Sequence, residues 1–581
     1  MTGFVGVSDL VAAAAQARPT APAIVDGDRV VTYQEFAELV SAIAGSLESM
    51  PAGSRVGIYG RRSPEVIAAF LACLALGICY VPVDVAQPPG RIAELLKQAE
   101  VHRALAGEDL AALSSAAAGG SWPRDRASGE LLAYIMFTSG STGQPKGVMI
   151  SQANLATYVT HALDTYDLRP SDRVYQVASL GFDWSVSEIL PTLAAGATVV
   201  LRSDDALTSA SQLAEEFVRY EITMVGLPTA AWHALSSAFV DGSVELPETV
   251  RHITIGGEQA LVEAVRAWIT RFNSRVRLLN SYGPTECTVE ATTVDLAGAH
   301  AIDVLSRDAV PVGKPLPNAS IYVLDDSGTP VGHKVEGRVF IGGPIVGQGY
   351  YQNPDATRRS FRPDPFSGTP GARMYDTGDI GYWNDHDELV FVGRADNQVK
   401  VGGYRVELEE IEYQIGLHES VREAAVVLRP DNGTLCAYVS LNGGTVDDVR
   451  RWLSDRVPVY LIPTHMVVVG ALPRTLNDKI DRKALAALPL TAEPSASGDS
   501  TDGSAEDADE LEARIAAVWA RVLGLPAVRP EDDFFHLGGH SLLAMRLVGQ
   551  LKKQVSPAVQ LRDLLEARTV RGLADRVKER A

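Results

Sequence analysis

Hydrophobic and polar positions change their period several times along this chain, and each change predicts an element. Short continuous apolar runs, Val56-Gly57-Ile58-Tyr59, Tyr80-Val81-Pro82-Val83 and Ala197-Thr198-Val199-Val200-Leu201, read as buried strands, and Pro64–Leu76 reads as a helix between the first two. From about residue 8 to 390 such strands alternate with amphipathic helices, which predicts a large α/β core with mainly parallel sheets. After Gly393-Arg394-Ala395-Asp396 the pattern changes to short strands, Val399–Val401 and Ala424–Leu428, flanking a helix over Glu407–Leu417, a small α+β unit. Residues 491 to 508 carry acids, no base and almost no large apolar side chain, the composition of a flexible linker. Beyond it Glu510–Leu523, Leu542–Lys553 and Val570–Lys578 have the helical period of a small all-α bundle. The expected organisation is therefore a core over 1–395, a small subdomain over 396–488, an acidic linker over 489–508 and a helical domain over 509–581.

Length agrees: 581 residues are too many for one core and suggest three or four units at ~150 residues each. The net charge of −20 argues against a nucleic-acid partner, whose backbone asks for a basic patch. The four cysteines (Cys73, Cys79, Cys287, Cys436) form no C-x-x-C pair and no zinc spacing, which points to a reducing, cytoplasmic setting, and Cys436 reads as strand core. The N-terminal stretch has no basic residue before Arg18 and no signal-peptide pattern, and no run approaches the ~20 apolar residues of a membrane span.

Two stretches suggest chemistry. Phe137-Thr138-Ser139-Gly140-Ser141-Thr142-Gly143-Gln144-Pro145-Lys146-Gly147 follows the strand Leu132–Met136. Its glycines permit a tight backbone whose N–H groups and neighbouring hydroxyls can donate to phosphate oxygens, although the lysine stands in the wrong place for the G-x-x-x-x-G-K-S/T loop and no helix start follows. Near the other end, Asp533-Phe534-Phe535-His536-Leu537-Gly538-Gly539-His540-Ser541-Leu542 puts Ser541 where a loop becomes a helix. By itself such a serine is an N-cap.

The first stretch resembles the phosphate loop of adenylate-forming enzymes, and the resemblance extends down the chain in the family's order. Asn280-Ser281-Tyr282-Gly283-Pro284-Thr285-Glu286 is similar to the adenine and magnesium motif, which implies Tyr282 against the base and Glu286 on Mg2+. Tyr375-Asp376-Thr377-Gly378-Asp379 is similar to the ribose motif, with Asp379 on the ribose hydroxyls, Arg394 a further nucleotide contact and Asp396 the hinge of a rotating small subdomain. Lys479 in Asn477-Asp478-Lys479-Ile480 matches the family's catalytic lysine, and Gly402-Gly403-Tyr404-Arg405 the face that lines a thiol's path after rotation. The loop residues Thr138, Ser139, Gly140, Ser141, Thr142, Gly143 and Lys146, together with Asn280, Ser281, Tyr282, Gly283 and Thr285, are then expected at ATP, with Thr142, Glu286 and Lys479 catalytic. The stretch around Ser541 resembles a carrier-protein signature whose serine bears a covalent 4'-phosphopantetheine, which implies a phosphopantetheinyl transferase as partner.

Phe182-Asp183-Trp184 selects among members of this family: Asp183 matches the aspartate that pairs with the α-ammonium of an amino-acid substrate in the adenylation domains of nonribosomal peptide synthetases. The matching pocket positions are Asp183, Trp184, Ser187, Val225, Thr254, Gly256, Ser281, Val289, Glu290 and Lys479. Trp184 narrows that pocket; Ser187, Thr254, Ser281 and Glu290 favour a polar or cationic side chain, with Glu290 as a solvated rim residue the alternative. The resemblance thus implies an adenylation–carrier didomain that uses ATP and Mg2+ to make an aminoacyl-AMP and loads the amino acid on its own Ser541. An acyl-CoA ligase, or a carrier and docking protein with an inactive adenylation domain, are the alternatives. No H-H-x-x-x-D-G condensation motif and no G-x-S-x-G motif occurs, so a condensation or tailoring enzyme is expected in trans, and the need for an MbtH-like activator protein is left open. Gly402, Asp376, Asp478 and the stretch Leu488-Pro489-Leu490-Thr491 depart from the family's usual residues.

Overall fold

The computed structural model describes residues 4–115, 122–123, 126–140, 143–203, 206–272, 275–304, 309–429, 433–474, 480–488, 510–523, 525, 527–534, 537, 541–556, 559, 563–564 and 567–580. The expected linker over 489–508 and, among the expected site residues, Ser141, Thr142 and Lys479 lie outside these. The chain divides into two compact units, one of Met1–Thr138, Pro145–Ser203 and Ala214–Asp396, the other of Ser139–Gln144, Asp204–Leu213 and Asn397–Ala581.

In the first unit the apolar runs become the strands Arg55–Tyr59, Cys79–Val83 and Thr198–Leu201, and the helix between the first two is Pro64–Ala75, capped by the Ser63 hydroxyl. Every residue of that helix is buried, which is why it is apolar all round rather than along a stripe. Two mixed sheets, of nine and six strands, have parallel centres as expected. A third, five-stranded sheet through Gly337–Gly342, Arg373–Trp383 and Leu389–Arg394 is wholly antiparallel. The alternating burial along Arg373–Trp383 marks a sheet with one wet face, where antiparallel pairing is the rule.

Among the described residues of the second unit, two larger apolar clusters stand out. One gathers Val406, Ile411, Val426, Val439 and Leu453 between the helix Leu408–Gly416, the sheet Val421–Leu428, Leu435–Leu441, His465–Val468, and the helix Val446–Ser454. The other gathers Trp519, Phe534, Leu547 and Leu573 among the helices Glu510–Leu523, Ser541–Gln554 and Val570–Arg580. All four cysteines are buried and none is in a disulfide, with Cys436 in its strand. Among the described residues, no helix is long and apolar enough to cross a membrane.

Candidate active site

Three parallel strands of the nine-stranded sheet, Met224–Pro228, His252–Gly256 and Arg277–Tyr282, end side by side, with Pro228 opposite Gly256 and Gly256 opposite Ser281. Crevices at the carboxyl ends of parallel strands are where α/β sheets bind ligands. At that edge the helix Trp184–Ala194 begins at Asp183. Asp183 is only 5% exposed, and burial raises its pKa to about 6, opposed by a hydrogen bond from the Thr285 hydroxyl and reinforced by the Glu286 charge. The Trp184 indole lies over two glycines. A Cβ added at Gly226 would lie 2.9 Å from Trp184 Nε1, and one at Gly256 3.3 Å from its Cη2 and 2.7 Å from the Ser281 carbonyl. A cavity of about 30 Å3 opens beside it, with Tyr166, Ser187, Val225, His252 and Thr254 in its wall.

The segment after the strand Arg277–Tyr282 is bent hard. Thr288 and Val289 stand at φ 53° and 74°, a conformation in which a β-branched residue is strained, and such outliers cluster at functional sites. The Thr288 hydroxyl donates to the Ile345 carbonyl at 2.7 Å and helps to hold the bend. On its near side Glu286 is fully buried, accepting from the Tyr350 hydroxyl at 2.6 Å, and the Lys146 ammonium lies 5.6 Å from the Tyr350 ring. On its far side Glu290 is 4% exposed, so it is no rim residue. Burial pushes its pKa up to about 7, opposed by hydrogen bonds from Tyr166 (2.7 Å) and Ser281, while the charge of Asp183 raises it further.

Asp379 is buried with both oxygens occupied: Tyr282 donates to Oδ2 at 2.5 Å and Arg394 to Oδ1 at 2.6 Å. Burial, followed by the Asp379 charge, holds the Tyr282 hydroxyl far above its ordinary pKa, so it is a neutral donor. Arg394 also pairs with Asp396 at 2.6 Å. Gly378, at φ 74°, leaves room for this, since a Cβ there would sit 2.6 Å from Arg394 Nη2. The unusual Asp376 has a local cause, pairing with Arg338 at 3.0 Å and Arg362 at 2.9 Å. Among the described residues, the buried Thr138 Oγ1 and Asn280 Oδ1 have no hydrogen-bond partner. Gly283 cannot carry a side chain, because a Cβ would meet the Glu290 backbone at 2.6 Å.

Asp183, Trp184, Ser187, Val225, Thr254, Gly256, Ser281, Tyr282, Thr285, Glu286, Val289, Glu290, Asp379 and Arg394 thus all belong to the first unit. Ser139, Gly140 and Gly143 belong to the second: the Ser139 hydroxyl donates to the Arg405 carbonyl at 2.9 Å, and the Gly140 N–H to Glu410 at 3.0 Å. Gly402 and Gly403, at φ 58° and 86°, form the two-residue turn of the hairpin Gln398–Val401/Tyr404–Glu407, a conformation that selects glycine, and a Cβ at Gly402 would meet nothing within 4 Å. Ser541 is the first residue of its helix. Tyr166 and Tyr350, which hold the two buried glutamates, escaped the sequence reading as contacts. Tyr166 is 124 residues from Glu290 in the chain, and Tyr350 is 64 from Glu286.

Comparison with known proteins agrees with this geometry. The family model for AMP-binding enzymes matches residues 11–351, that for the AMP-binding enzyme C-terminal domain 410–479, and that for the phosphopantetheine attachment site 513–577. A linear gramicidin synthase polypeptide of Brevibacillus parabrevis is 35% identical over 97% of this chain, and phosphinothricin tripeptide synthetase PhsC of Streptomyces viridochromogenes 34% over 98%. The chain spans only 11% of the first relative's length and 52% of the second's. The structure of holo-PA1221, an NRPS protein containing adenylation and PCP domains, superposes with a TM-score of 0.81 at 26% identity, covering 99% of this chain and 96% of that one.

Proposed function

The chain belongs to the AMP-binding enzyme family, and from that premise we propose that it activates an amino acid as its aminoacyl-AMP and loads it as a thioester on Ser541 of the same chain, for a nonribosomal peptide or related product. The observation that carries this is Asp183, a buried carboxylate that caps the helix whose first residue, Trp184, lines the pocket, and it asks for a cation that an α-amino acid supplies.

In the first half-reaction a carboxylate oxygen of the amino acid bonds to the α-phosphorus of ATP as the bond to the β-phosphate bridge breaks and pyrophosphate leaves. Asp379, fixed by Tyr282 and Arg394, accepts from the ribose hydroxyls, as a carboxylate held by two donors does well. The unpartnered Thr138 hydroxyl is a ready donor to phosphate oxygens, and the loop through Thr142 and Lys146 adds further donors and charge. The buried Glu286 carboxylate suits Mg2+, which takes one or two carboxylates and completes its shell with phosphate and water. When bound there, the ion supplies positive charge against the phosphate oxygens. Lys479 adds a cation at the same oxygens, and its replacement by alanine is expected to slow amino-acid-dependent pyrophosphate exchange about a hundred- to a thousand-fold.

Tyr350 positions Glu286. Tyr350→Phe removes the hydroxyl that donates to Glu286 Oε1, and the Mg2+ concentration for half-maximal exchange is expected to rise about tenfold, with the melting temperature little changed. A titration of exchange rate against Mg2+ at fixed ATP checks this.

For the second half-reaction, Ser541 at the first position of a helix suits a phosphodiester, because helix N-termini favour anions. The 4'-phosphopantetheine attached there supplies a thiol that takes the acyl group from AMP. Asp396 serves as hinge for the subdomain that carries Lys479, and the Gly402–Gly403 turn lines the approach of the arm. A phosphopantetheinyl transferase primes the chain, and a condensation or tailoring enzyme in trans, in the cytoplasm, receives the thioester; an MbtH-like protein is a candidate activator. Exchange assays across a panel of amino acids, with intact-mass detection of an aminoacyl adduct on the primed chain, test the whole scheme; exchange without an adduct would leave an activating enzyme that does not load itself.

A further inference from the structure

We propose that Glu188 is the positioning residue for Asp183: its carboxylate, on the helix that Asp183 begins, clasps the segment 177–182 and so sets where the anchor for the amino acid stands. This deepens the assignment of Asp183 to the α-ammonium and rests on it.

The strand Arg173–Gln176 is joined to Asp183 by residues 177–182, which form no helix or strand. Glu188 reaches back to this segment from inside the helix. Its Oε1 accepts from the Val177 N–H at 2.9 Å and the Ala178 N–H at 3.2 Å, and its Oε2 from the Ala178 N–H at 3.0 Å and the Gln176 side-chain amide at 2.7 Å. Three donors converge on the two oxygens, which suits a group that only accepts; a glutamine would turn its own NH2 on a donor. From the other side Arg62 donates to Gln176 Oε1 at 2.8 Å and to the Val177 and Ala178 carbonyls at 3.0 and 3.2 Å. Arg202 Nε donates to the same Val177 carbonyl at 3.1 Å. Val177 and Ala178 are thus gripped at N–H and C=O alike, and Gln176 links the two grips into one network.

The rest of the segment is tied as well. The Ser179 hydroxyl donates to Asp84, and the Phe182 N–H closes on the Ser179 carbonyl at 3.0 Å. Gly181 runs so near that a Cβ on it would lie 3.1 Å from Asp84 N. Asp183 and Trp184 follow directly from a backbone held at each of these points. Stability by itself does not account for the carboxylate at the centre of the network. Glu188 is 4% exposed, and burial pushes its pKa up to about 7, opposed by the hydrogen bonds from Val177, Gln176 and Ala178 and by the Arg62 charge. The charged form, which is the one that accepts from all three donors, is therefore the one that burial disfavours. A carboxylate held in that balance serves the geometry of its segment, and the segment ends at Asp183.

The full chain tests this by pyrophosphate exchange with the amino acid that a panel shows to be its best substrate. Glu188→Gln is expected to raise KM for that amino acid about tenfold, the effect of leaving a buried donor unmet, with kcat within about threefold and KM for ATP within about twofold. In Asp183→Asn the same second substitution should change kcat/KM by less than about twofold, because a residue that acts through Asp183 then has nothing left to position. The unaltered chain gives a reading that needs no variant: amide hydrogen exchange at Val177 and Ala178 should be as slow as in the strand Arg173–Gln176 before any amino acid is added. An unchanged KM for the amino acid in Glu188→Gln, an equal rise for amino acid and ATP, a full further loss in the double variant, or fast hydrogen exchange at Val177 and Ala178 overturns the positioning role while Asp183 keeps its own. No pyrophosphate exchange with any amino acid in the unaltered chain overturns both.

Discussion

Ser541→Ala is expected to leave amino-acid-dependent pyrophosphate exchange within about twofold of normal and to abolish loading altogether. The two half-reactions draw on different parts of the chain. Asp183, Glu286, Asp379 and Arg394 belong to the first unit, and although Ser139, Gly140 and Gly143 belong to the second, Ser541 begins a helix there that has a separate apolar core. Losing one hydroxyl at a helix N-terminus costs at most about 1–2 kcal/mol of local stability and touches none of the adenylation groups. Loading has no second route, because the pantetheine arm is joined through that oxygen alone. Intact mass after incubation with a phosphopantetheinyl transferase and coenzyme A should show the added arm on the unaltered chain and none on the variant. Equal loss of exchange in Ser541→Ala would show that the carrier region is needed for adenylation and that the two roles are not divided in this way.

Asp183→Asn should have the largest effect on substrate recognition, and it should make the protein more stable while making it less active. A buried ammonium facing an amide instead of a carboxylate loses about 3–5 kcal/mol, or roughly two to four orders of magnitude in kcat/KM for the amino acid, with KM for ATP nearly unchanged. Stability moves the other way. The Asp183 pKa is raised from 3.8 to about 6, chiefly by burial, so the charged form is disfavoured in the fold. Its contribution to stability is complete below the unfolded value near 4 and is lost as pH rises through about 6. At pH 8 the free protein therefore carries a penalty of up to roughly 3 kcal/mol that asparagine removes, and the melting temperature of the variant should be higher there and converge with the parent's near pH 4. Activity provides a second check: kcat/KM for the amino acid should fall below about pH 6 in the parent, as Asp183 takes up a proton, and stay flat through that range in Asp183→Asn. A variant less stable than its parent at pH 8 would mean that Asp183 serves the fold instead of the ligand.

Both expectations start from residues that were legible in the chain, for a physical reason. The stretches that carry the resemblance are contiguous: Asn280 to Glu286 runs off the end of the strand Arg277–Tyr282 and Tyr375 to Asp379 lies within the strand Arg373–Trp383, so spacing along the chain fixes spacing in space. Hence Asn280 to Glu286 and Tyr375 to Asp379 could be read directly, as could the apolar runs that became the buried strands and the fully buried helix Pro64–Ala75. Glycine pairs were legible in kind but not in role: Gly402 and Gly403 are required first by the positive φ angles of a hairpin turn.

What escaped the sequence depends on partners far apart in the chain. Glu290 read equally well as a solvated rim residue, and only the fold, by setting Tyr166 and Ser281 against it and bending the backbone at Thr288 and Val289, shows it buried. Asp376 looked like a departure from pattern until Arg338 and Arg362 proved to be its partners. Trp184 was legible as a pocket position, but the glycines that admit its indole, Gly226 and Gly256, lie on two neighbouring parallel strands. By itself the sequence determined the family, a phosphate-type loop toward one end and a carrier-type serine toward the other, because each resemblance is carried by a short local motif. Tertiary structure alone decided which carboxylates are dry and which are already paired, because burial and charge pairing are set by residues that only folding brings together.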